Sequence, residues 1–72
     1  MQTVHIKDEY IKLNQLMKLC GFVGRGSDVK ILVDEGLITL NGEKVTELRK
    51  KVHSGDVVEV QSIGEVKVEA NI

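Results

Sequence analysis

Two short helices packed on a small antiparallel or mixed sheet, an α+β domain, is the architecture this sequence specifies. Three observations point there. Leu13, Leu16, Met17 and Cys20 fall at i, i+3, i+4 and i+7, one face of a helix. Val29, Leu32 and Val33 repeat the i, i+3, i+4 spacing. After Gly36 the period drops to two, and Asn41-Gly42 interrupts the alternation, the strongest short hairpin signal a sequence carries.

The elements follow in order. "TVHIK" (3–7) alternates and predicts a strand. "YIKLNQLMKLCG" (10–21) carries the first helix. Gly21 is placed to end it in the left-handed conformation, with Phe22 packing back beyond it. Lys12, Gln15 and Lys18 fall on the side turned away from the apolar stripe. "FVGRG" is a tight linker; Ser27 is the expected N-cap of the second helix, and Asp28 suits the positive end of its dipole. Gly36 ends that helix. "LITL" is a strand, Asn41-Gly42 a type I′ turn and "EKV" the return. "TELRKKVHSG" reads as polar and irregular, with a turn at Ser54-Gly55-Asp56. "VVEVQ" and "EVKVEA" (65–70) are the last strands, with a turn near Ile63-Gly64.

Size limits the core. The chain has 72 residues, one domain, and folding at this length buries only about 60% of the surface that the unfolded chain exposes. Hydrophobic residues make up 42% of the chain, and Tyr10 and Phe22 are the aromatics, so Leu, Ile and Val must build the core. No apolar run approaches the roughly 20 residues that span a bilayer. The opening "MQTVHIKDEY" has no apolar signal region, and Cys20 is the single cysteine. A cytoplasmic protein without a membrane partner is expected.

The net charge is −1, which by itself argues against a nucleic-acid partner. Its distribution argues the other way. Residues 12–51 hold eight basic and five acidic side chains, whereas residues 52–72 hold one basic and four acidic. Such asymmetry suggests a basic face on a neutral body.

Little supports catalysis. His5 and His53 lie far apart and read as surface histidines, and Cys20 lies on the apolar stripe as a small hydrophobe. No Cys/His cluster has metal spacing, so no metal, cofactor or small-molecule substrate is expected. "GFVGRGS" imitates a phosphate-binding loop but lacks its lysine and follows a helix. "GFVG" (21–24) imitates the RNA clamp of KH domains, but apolar residues fill its middle; a helix cap and tight turn is the better description.

The whole constellation is more specific than any part. "KLNQLMKLCGFVGRGSDVKILVDEGLITLNGEKV…VHSGDVVEV" (12–60) resembles the RNA-binding domain named after ribosomal protein S4, the αL motif, and within it the small stand-alone bacterial type (YaaA/YbcJ-like). The resemblance covers about two thirds of the chain, to which strands 3–7 and 65–70 are added. Lys12-Leu13-Asn14 stands where the family has Arg-Leu-Asp, and Lys30 matches a basic residue early in the second helix. Gly36, Asn41-Gly42 and Val45 match its hairpin, and Val52, Gly55 and Asp56 its last turn. The chain departs from the pattern at Arg25-Gly26, where the family has Ser-Arg, and at Val29, where it has alanine.

The resemblance implies a non-catalytic protein that binds structured RNA, ribosomal or tRNA-like, with ribosome-associated proteins as further partners. The candidate contacts are Lys12, Gln15 and Lys18 on the first helix, Arg25, Ser27 and Lys30 at the start of the second, Asn41 and Lys44 on the hairpin, and the run Arg49, Lys50 and Lys51. Physical reasons stand beside it. A helix N-terminus suits a phosphate, and Gly24 and Gly26 let a backbone approach closely. A plain structural role competes at two places: Asn41 supplies the left-handed turn residue, and a lysine run in a loop is ordinarily just solvated. The scarcity of exposed aromatics points to readout of shape and backbone rather than base stacking. The alternative is a protein–protein adaptor, docking by strand addition at an edge strand, 3–7 or 65–70.

Overall fold

In a computed structural model, which describes residues 1–70, the chain forms seven strands and two helices. They are β1 (Gln2–Ile6), β2 (Tyr10–Lys12), α1 (Leu13–Leu19), α2 (Gly26–Asp34), β3 (Ile38–Leu40), β4 (Glu43–Lys44), β5 (Lys51–His53), β6 (Val57–Val60) and β7 (Gly64–Ala70). Five of the strands make a mixed sheet in the order β1-β7-β6-β3-β4. All its pairs are antiparallel except β1 with β7, which run parallel. The expected α+β layering is therefore present.

Alternation builds the sheet face. Val4, Ile6, Ile38, Val58, Val60, Val66 and Val68 are buried, while Thr3, His5, Glu59 and Glu65 between them are exposed. Register reinforces this, because Val4 lies opposite Val68 and Val58 opposite Val66. The helices supply Leu13, Leu16, Met17, Val29 and Val33 to the same apolar cluster. The core is thus a single layer between the helices and one sheet face, as a chain this short allows.

Both helices end as their glycines predict. Gly21 and Gly36 have φ of 82° and 71°. The Phe22 N–H donates to the Met17 carbonyl at 3.1 Å and the Gly21 N–H to Lys18 at 3.2 Å. The Leu37 and Gly36 N–H groups repeat the pattern on Leu32 and Val33, each at 3.0 Å. These are Schellman closures, which satisfy carbonyls that a bare helix end leaves open. Phe22 packs against the core, as expected. Asn41 (φ 51°) and Gly42 (φ 88°) form the two-residue type I′ turn joining β3 and β4.

Four expectations are corrected. Tyr10-Ile11-Lys12 is not the first turn of α1 but strand β2, and "TELRKKVHSG" is not wholly irregular because it contains β5. The two pair antiparallel as a separate ribbon, with Tyr10 opposite His53, Ile11 opposite Val52 and Lys12 opposite Lys51. Burial drives this: Val52 is fully buried and Ile11 packs on the core, so the neighbours of each must point outward. Ser27 is not the N-cap of α2. That position falls to Arg25, whose backbone is extended (φ −135°, ψ 147°) and whose carbonyl accepts from the Asp28 N–H at 3.1 Å. Finally, β7 lies between β1 and β6, so strand 65–70 is not an edge.

Cys20 is buried among the core residues, its thiol 3.6 Å from the Met17 carbonyl. Burial pushes its pKa above the ordinary 9.0. The unfolded chain therefore releases this proton at a pH where the folded chain still holds it. Stability is fully present below pH 9 and declines as pH rises beyond it. Native protein at neutral pH is expected to resist a thiol-alkylating reagent and to react fully in urea; equal rates in both would contradict the buried placement.

Candidate nucleic-acid interface

The β2–β5 ribbon gathers basic residues that the sequence leaves apart. Lys12 and Lys51 occupy directly opposed positions, and directly opposed residues point to the same face of a ribbon. The Leu13 N–H donates to the Lys50 carbonyl at 2.8 Å, which ties the run Arg49-Lys50-Lys51 to the start of α1. Like charges set opposite each other cost stability, so packing of Ile11 and Val52 beneath holds the pair together.

A shallow depression beside the ribbon is lined by Leu40, Glu47, Arg49, Lys50, Lys51, His53 and Asp56. The Lys51 ammonium lies 4.8 Å from the centre of the Tyr10 ring, a cation–π distance. Lys12 also lines a second groove with Asp8, Glu9, Tyr10 and Gln15.

The other expected contact residues fall in several places. Gln15 and Lys18 are exposed on α1, Lys18 in its last turn where a cation suits the dipole. Lys12 is the residue before that helix, not part of its polar face. Arg25 and Ser27 are exposed at the start of α2, and a side chain at Gly24 would meet open space. Lys30 is committed to Asp34 one turn on, at 2.9 Å. Lys44 does not reach toward the ribbon. Its side chain lies over Gly36, 3.0 Å from where a Cβ would stand, at the C-terminal end of α2.

The exposed Asn41 side chain folds back onto the turn before β6. Its Nδ2 donates to Asp56 Oδ1 at 3.0 Å, and its Oδ1 accepts from the Val57 N–H at 2.9 Å. The other Asp56 oxygen accepts from the His53 N–H at 2.8 Å. Asn41 and Asp56 thus clasp the β3–β4 hairpin to the turn between β5 and β6, and so fix the end of the ribbon.

Carboxylates stand beside the ribbon at Asp8, Glu9, Glu47 and Asp56, and others line the large sheet. Glu59 lies opposite Glu65 on the solvent face of the large sheet, and Glu69 shares that face, 3.5 Å from Lys67 and 4.0 Å from His5. Among the described residues no cluster of three or more His, Cys, Asp or Glu could hold a metal ion. No helix among them is long and apolar enough to cross a membrane.

Tyr10 and His53 were not among the residues singled out for this site. The available signal was two period-2 triplets, Tyr-Ile-Lys and Lys-Val-His, each too short to declare itself a strand.

The order of these elements, helix, glycine turn, helix, Asn-Gly hairpin and Gly-Asp turn, extends over most of the chain. Residues 4–69 match the pattern of the S4 domain. The chain belongs to the S4-domain family. One relative is the Probable ribosome maturation protein RlbA of Bacillus subtilis (strain 168), 31% identical over 65 residues, which are 90% of this chain and 92% of that protein. Among solved structures, the solution structure of YbcJ from E. coli superimposes with a TM-score of 0.74 and 31% identity, covering 97% of this chain and 89% of that one. YbcJ is described as revealing an αL motif involved in RNA binding.

Proposed function

We propose that this S4 domain is a non-catalytic module that docks on structured RNA, ribosomal RNA or its precursors first, in the cytoplasm. The observation that carries this is the cross-strand pair of Lys12 and Lys51. Two lysines are held face to face at a cost in stability, with Arg49 and Lys50 beside them, and an anion between them removes the cost. Gln15, Lys18, Arg25 and Ser27 extend the contact along the exposed helix surfaces, where the open space at Gly24 admits a sugar-phosphate backbone. Lys30 contributes less, because its ammonium pairs with Asp34, and Lys44 less, because its side chain lies over Gly36. Asn41 acts by holding the ribbon in place. The names of the relatives, a ribosome maturation protein and an RNA-binding αL motif, support this direction.

The test is a salt series of binding to ribosomal RNA fragments. Affinity should fall steeply as salt rises, and Arg25→Glu should flatten the slope by about one unit or slightly less, alike across RNA sequences. Lys30→Glu should change it less than Arg25→Glu. Binding that persists unchanged in high salt would instead favour strand addition to a protein partner at β1, which is an edge of the large sheet.

A further inference from the structure

The outer face of the ribbon carries more than charge. Tyr10 is 36% exposed, and the His53 side chain opposite it is 57% exposed. Their ring centres lie 5.9 Å apart, with the planes inclined by 49°. Lys12 and Lys51 are the next pair along the same ribbon. The result is a two-by-two grid of residues, Tyr10 and His53 in one row and Lys12 and Lys51 in the next, with the Lys51 ammonium reaching back over the Tyr10 ring.

We propose that this grid binds a single unpaired nucleotide of the structured RNA, its base stacked on Tyr10 and its phosphate between Lys12 and Lys51. The inference rests on the RNA-binding function proposed above and names the feature of the RNA that this site takes. Three observations carry it. First, an aromatic ring exposed beside paired lysines supplies the two components of single-strand recognition, a stacking surface and a charged track for the backbone. Second, the groove next to Tyr10 is lined by Asp8, Glu9 and Gln15 as well as Lys12. Carboxylates accept hydrogen bonds from the amino groups of a base, so this groove suits the edge of a base stacked on Tyr10. Third, the Lys51 ammonium rests on the Tyr10 ring in the free protein. An arriving base takes over that ring, and the displaced ammonium is then within reach of the phosphate of the same nucleotide. A paired duplex, whose bases are already stacked, cannot use the ring.

Tyr10 is the single tyrosine of a chain without tryptophan, so its fluorescence reports on this site alone. The experiment compares two blunt-ended RNA duplexes, each of two separate strands, one with a bulged adenosine and one fully paired, using the parent protein, Tyr10→Phe and Tyr10→Leu. The bulged duplex should quench the tyrosine of the parent and bind the parent and Tyr10→Phe about tenfold more tightly than Tyr10→Leu. The paired duplex should bind all three alike and leave the fluorescence unchanged. Circular dichroism of Tyr10→Leu controls for folding, and the paired duplex controls for an intact basic face. If both duplexes bind all three proteins equally without quenching, the stacking site is overturned while the basic interface stands. If neither duplex binds in low salt, the RNA-binding function falls and the stacking site with it.

Discussion

Lys12→Glu should yield a protein slightly more stable than the parent that binds structured RNA about tenfold more weakly. The two effects have one cause. In the parent, Lys12 faces Lys51 across the ribbon, an arrangement that costs stability. The substitution converts repulsion into attraction and places an acid beside the positive end of α1, together worth about 0.5 kcal/mol. It also removes a phosphate contact, and one charge-assisted contact is worth about 1.4 kcal/mol, or tenfold. Adding Lys51→Glu restores a like-charge pair, cancels the stability gain and takes the affinity to about 100-fold below the parent. Urea midpoints and filter binding at fixed salt measure both quantities. A Lys12→Glu protein that is destabilised and binds as well as the parent would contradict the opposed arrangement and its use.

The second large effect concerns Asn41. Asn41→Ala should destabilise the domain by about 2 kcal/mol, a large share of the roughly 5 kcal/mol that holds a domain of this size. About half comes from the two hydrogen bonds to Asp56 and Val57. The rest comes from placing alanine at φ 51°, a region that asparagine tolerates better. Asn41→Gly separates the two contributions. It accepts the backbone but loses the clasp, so it should cost about 1 kcal/mol. Because the clasp reaches the His53 N–H through Asp56, RNA affinity should also fall in folded Asn41→Gly, although no phosphate contact is removed. Asn41→Ala with a urea midpoint equal to that of the parent would show that the clasp carries no stability.

What the sequence made legible was local. The helix stripes, both glycine closures, the Asn-Gly hairpin and the last two strands each declare themselves within about ten residues, through a period of 3.6 or 2 or a positive-φ requirement. The pairing of β1 with β7 joins residues more than sixty positions apart in a parallel register, and no local pattern encodes a partner. The ribbon was hidden for two reasons. Its strands are three residues each, and Tyr10-Ile11-Lys12 runs directly into the apolar stripe of α1, so the stronger helical period absorbed it. Once the ribbon is missed, Lys12 is assigned to a helix face, Lys51 to a solvated loop, and Tyr10 and His53 to nothing in particular. The candidate contacts were thus found by charge, whereas their grouping required the fold. Ser27 failed as a cap for a smaller reason. Gly26 carries on the helix by one residue, and Arg25 accepts the first backbone hydrogen bond.

The measurement that bears most directly on RNA binding is the 260 to 280 nm absorbance ratio of protein purified from cells at low salt, followed by sequencing of any RNA that accompanies it. With one tyrosine and no tryptophan in the chain, even a small amount of RNA dominates the ratio. A high ratio at low salt that falls to that of clean protein after a high-salt wash, with ribosomal sequences in the wash, is the expected result. Clean protein at low salt that also ignores added ribosomal RNA would contradict RNA binding through the Lys12–Lys51 face.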